Sequence, residues 1–420
     1  MKWFAMAVFC AAQFANAQDG GNWPRWRGPQ DAGSTEAGVY PVKWEAGSNL
    51  VWRAALPGKG CSTPIVWERR IFVTAPVEGE DAVLAFDWGG KQLWQTTFGA
   101  EHSGKNAHGS GSNPSPATDG TNLFVYYKSG HFASIDFQGK VRWKTDLVER
   151  YGRDTLYWDY GTSPVLTAKD VVIARLHHGE SYVAAFDKGT GALHWKVARN
   201  YETSIEGDHS YATPVVITEQ GREALLVLGG EHLTAHDLSD GRLLWSCGEF
   251  NPQAKKNWVP VGSPVVCGKL AVVPYGRGAQ LHGIKLGGSG DVTSTHRVWA
   301  RQDTGTFVST PVVYKSRVYL LRDHGPERGT VECIDPADGK TVWQGVFPKS
   351  SAEYYASPVI AGGRFYAARE DGAVMVAAIE EKFEFLAEND LGESVIASPV
   401  PAGNRLFIRG EKQLFCIGAN

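Results

Sequence analysis

A Ser/Thr-Pro step followed by small or β-branched residues occurs eight times in this chain, and it restricts the fold more than any other feature. The copies read CSTPIV, NPSPAT, GTSPVL, YATPVV, VGSPVV, VSTPVV, YASPVI and IASPVP, with prolines from Pro64 to Pro399. Successive copies lie 41 to 52 residues apart. Self-similarity at such a period marks an array of supersecondary units, each too small to bury its own apolar face.

Each copy carries the same later landmarks. A β-rich run follows a turn, as in RIFVTA, NLFVYY and RVYLLR; an apolar run then ends in Asp, passes a Gly turn and reaches an aromatic residue. Asp87, Asp136, Asp187, Asp237 and Asp335 precede Trp94, Trp143, Trp195, Trp245 and Trp343 by seven or eight residues. Asp ahead of a Gly-containing turn is hairpin chemistry, the carboxylate bonding turn amides. A Trp at one position per repeat predicts rings packed between neighbouring units. Two copies depart from the pattern. The fifth has Lys285 in place of Asp and a longer hairpin ending at Trp299, and the seventh has Phe385 where Trp is expected.

Four short strands in roughly 45 residues make a propeller blade, so the reading is all-β: an eight-bladed β-propeller of four-stranded antiparallel blades. The last copy stops after three strands, whereas SNLVWRAAL at 48–56 is a Trp strand with no blade before it. Trp52 is therefore expected in the final blade, the N-terminal strand closing the ring and removing two exposed edges. The division is a signal peptide at 1–17, an N-terminal arm at 18–47 and the propeller at 48–420.

Lys2 precedes an apolar run from Trp3 to Phe14 that ends at Ala15-Asn16-Ala17. A charged start, a short apolar stretch and a small-x-small site predict a signal peptide cleaved after Ala17, and a periplasmic or secreted protein. Phe9 stands where lipid attachment to Cys10 would need a small residue. No later apolar run reaches the length of a membrane span, so no transmembrane segment is expected after cleavage. The net charge of −3 offers no basic patch for nucleic acid. Cys61, Cys247, Cys267, Cys333 and Cys416 are too irregularly spaced for a disulfide framework or a zinc site, although Cys247 and Cys267 could pair.

The SPV…Ala-x-Asp-x-x-x-Gly-x-x-x-Trp blade resembles the repeat of the PQQ-type (pyrroloquinoline quinone) propellers. That superfamily includes the quinoprotein alcohol dehydrogenases and the propeller lipoprotein of the outer-membrane β-barrel assembly machinery. The arm NWPRWRGPQDAG, and the segments KNAHGSGSNPSPATDG, HSYATPVV and FLAENDLGESVIASP, are similar to exported PQQ-like repeat proteins of planctomycete-type bacteria. For the dehydrogenases the resemblance implies PQQ held with Ca2+ over the channel, beneath an adjacent Cys-Cys disulfide ring. This chain has no Cys-Cys pair, no acidic cluster for the six to eight oxygens of Ca2+, and no large insertions. PQQ with Ca2+ is thus the alternative, and the expectation is no cofactor and no metal.

Enzyme motifs are missing too. Gly-Ser-Gly-Ser-Asn-Pro at 109–114 fails the dinucleotide pattern because Pro114 occupies the last glycine, and no helix is expected to follow. His177 and His178 are neighbours near a strand end, where side chains point to opposite faces. The non-repeat residues instead gather in the segments between one Trp strand and the next Ser/Thr-Pro strand, all expected on one face around the channel mouth. EHSGKNAHGSGSN brings His102, Asn106 and His108; YGRDTLYWDYGT brings Trp158 and Asp159, with Tyr157 and Tyr160. YETSIEGDHSYA brings His209 and Tyr211, NPQAKKNWVPVG brings Lys256 and Trp258, and PKSSAEYYA brings Tyr354 and Tyr355. Aromatic-rich loops on a rigid scaffold suit recognition. The expectation is a monomeric, non-catalytic scaffold that binds a protein, peptide or glycan ligand in the cell envelope on this face. The alternatives are a PQQ-dependent oxidoreductase of the alcohol or sugar dehydrogenase type and an outer-membrane protein assembly factor.

Overall fold

The computed structural model describes residues 21–45, 48–219 and 221–418; the expected signal peptide, with its cleavage site, lies outside the described residues. Eight sheets follow one another along the chain as the eight blades of a β-propeller. Blade 1 runs outward through Ile65–Trp67, Arg70–Val77, Glu80–Asp87 and Gln92–Ala100. Blade 8 takes Val400–Ala402, Arg405–Arg409 and Gln413–Gly418 from the end of the chain, and Leu50–Ala55 from its start as the outermost strand. The N-terminal strand therefore closes the ring, as the orphan Trp strand implies.

Each blade is sandwiched between two others, so its middle strands are buried on both faces and read as near-continuous apolar runs. Asp170–Arg175 is buried throughout, whereas the outermost strand Thr341–Val346 alternates between exposed and half-buried. The core is accordingly distributed between blade faces. Phe72 and Val83 of blade 1 pack against Leu123 and Val125 of blade 2, and Val172 and Val183 of blade 3 against Leu225 and Val227 of blade 4.

The Ser/Thr-Pro step binds the blades together. The Thr63 amide donates to Ser115 Oγ at 2.9 Å, Ser115 to Ser163 at 3.0 Å, Ser163 to Thr213 at 3.1 Å and Thr213 to Ser263 at 2.9 Å. Ser263 then donates to Thr310 and Thr310 to Ser357, each at 2.9 Å, and Ser357 to Ser398 at 3.2 Å. The Ser398 amide returns to Thr63 Oγ1 at 3.2 Å, so the hydrogen bonds form a closed circle round the channel. Proline suits the first strand position because it lacks an N–H and holds the residue before it extended.

The Asp-Gly-Trp pattern is a second blade-to-blade device. Asp87 Oδ1 accepts the Gly89 and Lys91 amides at 2.9 Å, tying the turn. Trp52 of blade 8 reaches over to this turn, donating from Nε1 to the Trp88 carbonyl at 2.9 Å and covering Gly90. Gly90 has φ of 85°, and a Cβ there would lie 2.6 Å from the Trp52 ring. Trp94, Trp143, Trp195 and Trp299 repeat the contact on the carbonyls of Phe137, Lys188, Leu238 and Pro336.

The irregular copies have local consequences. With no Asp turn opposite it, Trp245 donates to Glu219 Oε2 at 3.2 Å, and the long fifth hairpin adds Gly290–Asp291 to blade 4 as a parallel strand. In the seventh copy the register corrects the sequence alignment. Ala387, not Phe385, occupies the Trp position, because the ladder bulges between the Val376–Ala387 and Ala377–Phe385 pairs. The arm contributes Tyr40 and Trp44 to the apolar cluster that contains Ala387. Cys247 and Cys267 do not pair: they lie in different blades, both as free thiols.

The arm also crosses one end of the channel. Trp23 bridges Val66 of blade 1, and the Pro24 carbonyl accepts the Thr118 amide of blade 2. Across the axis, Arg27 donates to the Pro311 and Pro358 carbonyls at 3.0 Å, and Ser34–Thr35 joins blade 7 as a parallel strand. Burial holds the Arg27 guanidinium well below its ordinary value, at about 9, against the opposing charge of Asp31. Trp26 therefore sits over the axis and plugs the channel from this side.

Candidate functional site

Above Trp26 the channel opens into a cavity of about 470 Å³ on the opposite face. Trp26 and the hydroxyl circle form its floor; its walls are aromatic, from Trp158, Tyr211, Phe307 and Tyr355. A concave, mostly apolar site with a few convergent polar groups is the usual form of a ligand pocket.

The loop at 101–114 is a strap over part of this mouth. Asp159 anchors it, accepting the Lys105 amide on both oxygens at 2.9 Å while its Oδ1 takes Lys128 Nζ at 2.6 Å. Both members of that ion pair are buried. From there the strap runs over Cys61, whose Sγ donates to the His108 carbonyl at 3.3 Å. The His108 ring stacks on Tyr355 with centroids 4.6 Å apart, and its Nδ1 lies 3.7 Å from a Glu370 oxygen. A loop leading into blade 2 thus latches onto residues of blade 7.

The far wall holds a charged cluster. His324 Nε2 is 2.9 Å from Glu353 and Nδ1 is 3.5 Å from Asp323. Burial lowers the His324 pKa, but the hydrogen bond and charge of Asp323 and the charge of Glu353 outweigh it, leaving the imidazole above its ordinary value. Burial raises that of Asp323, yet His324 and the Phe307 and Ser309 amides hold the carboxyl below the usual range. Arg277 lies over Phe307 at 4.5 Å.

Of the residues singled out in the sequence, Asn106, His108, Trp158, Asp159, Tyr211 and Tyr355 line the cavity. Trp158 is 44% exposed, and its amide donates to the Tyr211 hydroxyl at 2.9 Å. The others stand away from it. His102 and Lys256 are exposed, Trp258 sits under Lys255 at 4.2 Å, and Tyr157 packs edge-on against Trp158. Tyr160 is buried between blades 2 and 3, Tyr354 between blades 6 and 7, and His209 is buried beneath the rim, where desolvation lowers its pKa.

Sequence reasoning missed Arg277, Phe307, His324 and Glu353. Phe307 and Glu353 lie in inter-blade segments (RQDTGTFVS and PKSSAEYYA), so the same loop rule would have found them. Arg277 and His324 come from a different connection, between the second and third strands of blades 5 and 6, which emerges on the same face. Elsewhere, Ser129, His131 and Asp81 meet, but both partners contact His131 Nδ1, so no proton relay runs through the ring.

The sequence profile of the family described as "Outer membrane protein assembly factor BamB" matches residues 79–345 and 327–417. No curated protein matches the sequence. Among solved structures, BamB from Moraxella catarrhalis aligns with TM-score 0.62 at 14% identity, covering 87% of this chain and 98% of that one. A europium-containing methanol dehydrogenase aligns with TM-score 0.71 at 12% identity, covering 95% and 98%. Quinohemoprotein alcohol dehydrogenase from Comamonas testosteroni aligns with TM-score 0.66 at 13% identity, covering 95% and 81%. At these identities the likeness establishes the fold alone.

The acidic side chains at the cavity do not suit a calcium ion, which takes six to eight oxygen ligands. The carboxylates lining the cavity are Asp159 and Glu353, both already bonded within the protein. Among the described residues no three His, Cys, Asp or Glu side chains converge as a metal-binding group. Among them, too, no helix is long and apolar enough to cross a membrane.

Proposed function

Because this chain belongs to the PQQ-like propeller family described as outer membrane protein assembly factor BamB, we propose that it is an exported, non-catalytic scaffold holding a ligand end in its axial cavity. The ligand is a protein, peptide or glycan of the cell envelope. One observation carries this reading: the cavity is blind, plugged at one end by Trp26 and walled by aromatic side chains on loops of a rigid frame. Binding there places large, stiff rings around a desolvated centre, the arrangement that gives recognition sites their affinity.

The test is a glycan and peptide array probed with the purified protein and with Trp158→Ala and Tyr355→Ala. Specific hits that both variants lose, with the melting temperature kept, support the reading; hits indifferent to both substitutions sink it. The family description favours a second reading, in which the partner is an outer-membrane assembly component. Reproducible failure to recover such components from envelope extracts counts against that version. Turnover of alcohols or sugars after loading with PQQ and Ca2+ would overturn the non-catalytic reading altogether.

A further inference from the structure

The circle of hydroxyls that joins the blades leaves something over. Each Ser or Thr oxygen accepts an amide from the neighbouring blade, but among the described residues none of the eight O–H groups donates to an acceptor. A hydroxyl carries one donor besides its acceptor lone pairs, and a buried donor without a partner is costly. Six of these residues line the cavity, among them Ser115, Ser163, Thr213 and Ser357. A ligand on the floor that brings acceptor oxygens spread around its perimeter can therefore take donors that the protein itself leaves open.

The charge of the cavity points the same way. Its two carboxylates are spoken for, Asp159 by Lys128 and Glu353 by His324 and Arg328. Arg277 also lines the cavity, and among the described residues its partners are the Phe307 ring and, at 3.4 Å, the Asn257 carbonyl. One uncommitted guanidinium faces the space. A guanidinium suits a single carboxylate, whereas a phosphate dianion would want further cations.

We propose that the cavity takes the acidic sugar end of a glycan, a pyranose bearing one carboxylate. Its ring oxygen and hydroxyls accept from the floor, its apolar face lies among the aromatic walls, and its carboxylate pairs with Arg277. A peptide C-terminus is the poorer fit, because it concentrates its acceptors at one point and leaves most of the circle unmatched. The inference rests on the reading of the cavity as a binding site and names the class of ligand.

The experiment titrates the full-length mature protein with glucuronate, its methyl ester, glucose and N-acetylphenylalanine, reading Trp fluorescence and calorimetry. Glucuronate is expected to bind roughly tenfold more tightly than its ester or glucose. Arg277→Gln should abolish that preference without changing the melting temperature, and Arg277→Lys should restore part of it. Equal binding of acid and ester, a preference that survives in Arg277→Gln, tighter binding of N-acetylphenylalanine, or no saturable binding of glucuronate at millimolar concentration each overturns the proposal. If array hits still depend on Trp158 while these titrations fail, only the sugar-acid assignment falls. If the hits are indifferent to Trp158, the cavity reading itself falls.

Discussion

The Ser398 amide, in the last blade, donates to Thr63 Oγ1, in the first, at 3.2 Å, with both residues buried. The closure of the propeller at its axis is therefore chemically the same bond that joins every other pair of blades. Thr63→Val preserves shape but removes the acceptor, leaving the Ser398 amide unpaired, and should cost about 1–3 kcal/mol. Thr310→Val, which strands the Ser263 amide within the ring, should cost about the same. Urea denaturation measures both, and a wild-type midpoint for either would show that the circle contributes nothing to stability.

The turn glycines are held by two constraints that can be separated. Gly241 and Gly392 have φ of 77° and 75°, but a Cβ would meet the Trp195 ring at 2.5 Å in the first and open space in the second. Gly392→Ala should cost about 1 kcal/mol from backbone strain. Gly241→Ala adds overpacking against Trp195 and should cost a further 1–3 kcal/mol, roughly. Equal losses in thermal unfolding would mean that the Trp contact is slack.

Asp159 lines the cavity yet is committed to the strap. Replacing it with Ala leaves Lys128 buried and unpaired, a loss of roughly 3–5 kcal/mol. Amide exchange across residues 104–109 should rise sharply in the same variant. A folded Asp159→Ala protein of normal stability, impaired only in ligand capture, would make Asp159 a ligand contact and not an anchor.

Two buried histidines oppose folding in acid. Burial pushes His236 down to about 4, partly offset by the Gly241 carbonyl; burial and the charge of Arg297 push His282 to about 3. Each is neutral when folded, while the unfolded chain protonates near 6.5, so the unfolded state binds more protons between these values. The stability that these two histidines contribute should be fully present above about pH 6.5 and be lost on acidification toward pH 4, by on the order of a few kcal/mol. His236→Asn should lessen that slope. An unchanged slope in a chemical denaturation series from pH 7 to 4 would remove His236 from the account.

The repeat was legible in the sequence because its chemistry is local in spacing. An Asp that ties a turn, a Gly with positive φ and a Trp on the following strand must recur at nearly constant intervals, and they do. The slip of two residues at Phe385 came from the same source: the sequence shows an aromatic residue near the expected place, whereas a bulge in the ladder decides which side chain faces the neighbouring blade. The loop-rich face was legible too, since residues outside the repeat had to emerge between blades.

What the sequence by itself determined is the architecture: eight units, their strand order, and closure by the orphan Trp52 strand. Those follow from periodicity, which survives in one dimension. Only the tertiary structure decided that Trp26 plugs the channel, that His108 reaches Tyr355, and that Arg277 and His324 share a cavity with Trp158. Each of these joins residues from different blades or from the arm and a blade, and such meetings are set by how a ring of units closes on itself. Side chains contributed once each by different blades carry no period to read.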